Sequence, residues 1–181
     1  LLVQRYGYDE DHIFLLLDAD ATQNAIREVL DERLSNPNVV GENDRVIIFF
    51  AGHGVTRHGH RGDVGYIAPV EARPGTWQSY ILMDSMTDVA QFIPAKHIFY
   101  IIDACYSGLA VMRGGSLMGD RVGADLIRQQ AWQILTAGDD ADGVIDGRGP
   151  HGKNSLFTGY LLEGLRGKAA DERGVISASS L

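Results

Sequence analysis

The chain has 181 residues, 45% of them apolar and 22% charged, and carries a net charge of −8. That length can bury one sizeable core, and that acidity excludes the basic face a nucleic-acid partner needs. The single cysteine excludes an intrachain disulfide and fits a reducing compartment.

Residues 1–7 read as the last turns of a helix stopped by Gly7. The opposite end, 174–181, stops without a closing element. A single domain over residues 1–181, cut from a longer polypeptide, is therefore expected. No apolar run reaches the length of a membrane span, and no signal-peptide pattern opens the sequence. A cytoplasmic location without a membrane partner is expected.

Residues 12–17 form a short apolar run that reads as a strand. Thr22 then caps a helix with Ala25, Ile26, Val29, Leu30 and Leu34 at helical spacing. Polar turns at 36–38 and 41–44 lead to a central strand over 46–50. Residues 52–63 are rich in Gly and His and read as a loop. Residues 65–70 read as a strand ended by Pro69, and 84–92 as a helix ended before Pro94.

A second central strand follows over 98–102, then a loop over 108–123 with five glycines. Within this stretch, 109–130 is expected to be a flexible linker. A strand over 132–137 and a helix through Leu165, capped by Asn154 or Ser155 and followed by Gly167, complete the series. Strands alternating with helices imply an α/β fold of three layers around a mostly parallel sheet.

His53 and Cys105 each follow one of the two central strands. Continuous apolar runs of this kind mark parallel strands buried on both faces, and ligands bind beyond the carboxyl ends of such strands. Alone, Cys105 reads as a small buried hydrophobe and His53 as a loop histidine. Together they point to a nucleophile and its base: imidazole lowers a thiol's pKa, then protonates a leaving amine. Backbone N–H groups of Gly54 and Cys105 are the candidate oxyanion donors.

The segments Phe49-Phe-Ala-Gly-His-Gly54 and Ile102-Asp-Ala-Cys-Tyr-Ser-Gly108 resemble the signature blocks of caspase-like cysteine peptidases, in the metacaspase and bacterial branch. The spacing between His53 and Cys105 agrees with the roughly 50 residues by which a caspase histidine precedes its cysteine. Further similarity covers 65–69, 134–138 and 155–167. The resemblance implies a caspase-like fold, with Cys105 as nucleophile, His53 as base and no third catalytic residue.

Asp103 stands two residues before Cys105, so on a strand the two side chains share a side. A carboxylate there can bind a guanidinium or ammonium group. Animal caspases carry Gln at that place and cleave after Asp, whereas metacaspases carry Asp and cleave after Arg or Lys. The resemblance thus implies a pocket for a basic side chain. It also makes Arg113 and Arg121, in the glycine-rich segment, candidate self-cleavage sites.

Three departures qualify the resemblance. The family's first strand and helix would precede residue 1, so another domain or a separate chain is expected to supply that strand. Calcium-dependent relatives carry an acidic cluster near the Asp84 region, but here Asp84 and Asp88 are separated by Ser, Met and Thr. Calcium takes six to eight oxygen ligands, so no cofactor is expected, with calcium as the alternative. Ala51 stands where some relatives place a pocket Ser.

His53, His58, His60 and Cys105 match no strong zinc spacing, so no metal is assigned. A metal-dependent hydrolase built on this histidine cluster is the second of two alternatives. Residues 139–146 lack the terminal acid of a calcium loop and read as a solvated turn. The function expected is a cysteine endopeptidase acting on protein or peptide substrates after Arg or Lys. A catalytically silent scaffold domain in a signalling protein is the main alternative.

Overall fold

The computed structural model describes residues 1–104, 131–137, 149, 150, 152 and 154–181. Helix α1 spans Leu2–Tyr6 and ends on Gly7 at φ 72°, a left-handed conformation that glycine adopts without strain. Helix α2, Gln23–Arg27, starts where the Thr22 side chain accepts the N–H of Ala25, and it continues as π-helix over Glu28–Arg33. Its expected apolar stripe faces inward, with Leu30 and Leu34 buried and Ile26 and Val29 packed against them.

Strand β1 spans Arg45–Ala51, β2 Gly54–Arg57, β3 Val64–Ile67 and β4 Ile81–Leu82. Helix α3 spans Met83–Asp88, followed by a 3-10 turn over Val89–Gln91. Strands β5, His97–Asp103, and β6, Ala131–Thr136, precede helix α4, Leu156–Glu163, which runs on as π-helix over Gly164–Lys168.

Two sheets result. The main one has the order β1-β5-β6 and is parallel throughout, and the second, β2-β3-β4, is antiparallel. Alternate residues of β5 face opposite layers. Ile98, Tyr100 and Ile102 point into a core built with Leu30 and Leu34 and with Met83 and Met86 of α3. The Tyr100 hydroxyl donates to Met86 O at 2.8 Å, which ties β5 to α3, and burial pushes this phenol up to about 12.

On the opposite face, the Asp103 side chain meets the start of α4, and the Tyr6 hydroxyl donates to Leu165 O at 2.6 Å. Helices therefore cover both faces, as the three-layer α/β expectation required.

Three local expectations change. Residues 13–17 have no ladder partner among the described residues, although the backbone is extended at Ile13 and Leu17 and burial alternates along the run. Phe14 packs on the core while Leu15 and Leu17 stay 67% and 57% exposed. The period of two is present, but a strand needs a neighbour, and none of the described strands lies beside it. The stretch 52–63 is not all loop, because Val55 and Thr56 pair with β3 as β2. Strand β1 is an edge rather than a centre among the described strands, with Phe49 48% exposed.

The first turn of α4 is locked by glycines. A Cβ on Gly159 would meet Pro150 Cδ at 2.5 Å and Gly149 Cα at 3.0 Å. Gly159→Ala is therefore expected to lose about 1–3 kcal/mol of stability in denaturant unfolding, the usual range for overpacking.

Candidate functional site

The site starts from the register of the parallel pair. Ala51 at the end of β1 lies beside Asp103 at the end of β5. The Gly52 N–H donates to Asp103 O at 3.1 Å and carries the pairing one residue further. A Cβ at Gly52 would lie 2.9 Å from the far end of the Phe50 ring, which would have to move to admit it. His53 follows, exposed at this rim.

The backbone then enters the second sheet. Ala68 N–H donates to His53 O at 2.9 Å, and Gly54 is opposite Ile67. Antiparallel pairs alternate between hydrogen-bonded and non-hydrogen-bonded. With 53 and 68 forming the bonded pair, the Gly54 N–H turns away from β3. It is thereby left outside the β2-β3 ladder.

Asp103 is half-buried, and its carboxylate is held by α4. Ser155 Oγ donates to Oδ2, and Thr158 Oγ1 donates to the same oxygen at 2.5 Å. Ser155 also caps the helix, accepting Thr158 N–H at 3.0 Å. One residue thus satisfies an orphan donor of the first turn and anchors an acidic side chain of the sheet.

Sequence reasoning leaves the cap between Asn154 and Ser155, which the structure decides for Ser155, and it misses both the second role of Ser155 and Thr158 altogether. Their partner lies 52 and 55 residues away along the chain, so no local pattern carries the signal.

The fold brings His53 and Asp103 to one rim. Cys105 lies outside the described residues, bonded to Ala104, which is buried directly after β5. Arg113, Arg121, the 109–130 linker and the acidic turn at 139–146 also lie outside them. Ala51, beside Asp103, brings no hydrogen-bonding side chain to the rim.

His58 is turned to Asp63, with Nδ1 3.0 Å from Oδ1, and His60 is exposed. Asp84 and Asp88 are both exposed on α3. Among the described residues, no group of three or more His, Cys, Asp or Glu is arranged to hold a metal ion. Among them too, no helix is long and apolar enough to cross a membrane.

The caspase-domain model of peptidase family C14 matches residues 1–178, nearly the whole chain. No curated protein matches it. The parallel sheet β1-β5-β6, with helices on both faces, is consistent with a caspase-like fold. The chain belongs to the caspase-domain family of peptidases.

Proposed function

We propose that the chain is a cysteine endopeptidase that cleaves after Arg or Lys, with Cys105 as nucleophile and His53 as general base and acid. The observation that carries this reading is the β1-β5 register. It brings His53 and Asp103 to one rim and directs the chain there two residues before Cys105.

The Cys105 thiolate attacks the scissile carbonyl carbon and forms a C–S bond. Backbone N–H groups of Gly54 and Cys105 hold the oxyanion, and the outward N–H of Gly54 supports that assignment. The His53 imidazolium gives its proton to the departing amine as the C–N bond breaks. Water, deprotonated by His53, then attacks the thioester and expels the thiolate, leaving a free carboxylate.

Asp103 supplies a negative charge for the side chain that precedes the cut, through charge-assisted hydrogen bonds. The linker sites Arg113 and Arg121 carry the residue type this pocket would accept, and we assign them as self-cleavage positions. The same reading takes one further parallel strand on the open side of β1, from another domain or chain. Exposed Phe49, Leu15 and Leu17 support that pairing.

The test is covalent capture. Peptidyl chloromethyl ketones ending in Arg, Lys or Asp are incubated with the protein, and adducts are located by peptide mass mapping. Arg and Lys probes are expected to label Cys105, and the Asp probe to leave it unmodified. Labelling by the Asp probe alone would overturn the basic pocket. No adduct with any probe would favour the scaffold reading.

A further inference from the structure

Asp103 does not present a free carboxylate. Among the described residues, both hydroxyl donors that reach it, from Ser155 and Thr158, converge on Oδ2. A carboxylate offers about four lone-pair positions over its two oxygens, so two donors fill one oxygen. The direction of both bonds is fixed. Ser155 Oγ already accepts the Thr158 N–H, so its proton goes to Asp103, and an ionised carboxylate can only accept.

The two donors sit at the N-cap and in the first turn of α4, where Gly159 lies so near Gly149 and Pro150 that a Cβ would not fit between them. Oδ2 is therefore occupied by groups that the fold holds in place.

Basic side chains differ in what they ask of a carboxylate. The guanidinium fork of Arg matches both oxygens side-on, whereas the ammonium of Lys is a point charge served by one. We infer that Ser155 and Thr158 are positioning residues that reserve Oδ2 and leave Oδ1 as the acceptor for the substrate's basic side chain. The pair thereby withholds the bidentate contact and sets the balance between Arg and Lys. This rests on the assignment of Asp103 to a pocket for basic residues.

The test compares kcat/KM for matched Arg and Lys reporter peptides in the full chain and its variants. Thr158→Val removes one donor with little change in shape. Ser155→Gly removes the other and keeps an acceptable helix cap. Each is expected to raise the Arg-to-Lys ratio by roughly tenfold, the effect of one charged hydrogen bond gained. Thr158→Ser, which restores the hydroxyl, returns the ratio to its original value.

Loss of folded protein would lower both reporters equally and leave the ratio alone. A ratio that stays within about twofold in both donor-deleted variants, or falls, overturns the inference. Wild-type protein without preference for either basic reporter would overturn the pocket assignment itself, a distinct result.

Discussion

Cys105→Ala will lower kcat/KM for an Arg reporter by roughly 10⁴-fold or more, and His53→Ala by a comparable factor. In the proposed cycle the thiol forms the covalent bond and the imidazole moves every proton, so neither has a substitute. Because they act as one unit, the double variant will be scarcely worse than either single one. His53 is exposed, so His53→Ala will leave the unfolding midpoint close to that of the wild type. Steady-state kinetics with a thermal melt on each protein check both statements. Hydrolysis that persists without Cys105 would remove the nucleophile from the scheme.

The second large effect is expected at Asp103. Asp103→Asn keeps the shape and an acceptor for the Ser155 and Thr158 hydroxyls, so the link to α4 survives. What it removes is charge. Losing one member of a buried charge pair commonly costs about 2–5 kcal/mol in recognition. Hydrolysis of Arg and Lys reporters will therefore fall roughly a hundredfold. A neutral reporter will be cleaved as before. The selectivity ratio between basic and neutral substrates, measured side by side, separates this from general damage. An unchanged ratio would place the recognition charge elsewhere.

Much of this arrangement is readable from residue order. β1 and β5 are unbroken apolar runs, so the strands and their rim residues stand out, although of the two only β5 is closely buried. Thr22 and Ser155 announce helix starts because a hydroxyl before an apolar stripe has a local job, and both accept the expected N–H. Gly7 marks a stop for an equally local reason.

What escapes depends on partners distant in sequence. Val55 and Thr56 look like loop because glycine and histidine surround them, and only the pairing with Gly65 and Tyr66 makes them a strand. Residues 13–17 look like strand because their side chains alternate, yet none of the described strands pairs with them, so no ladder forms there. The tie from Asp103 to Ser155 and Thr158 spans more than 50 residues and leaves no trace in either motif.

The ladder between β5 and β6 has a mechanical meaning. The two strands lie on opposite sides of residues 105–130, and their pairing from His97 with Ala131 to Ile102 with Thr136 needs no peptide bond between them. The clasp of α4 on Asp103 crosses the same boundary. A chain nicked anywhere in that interval would travel as one particle through a sizing column, and separate into two fragments only in denaturant.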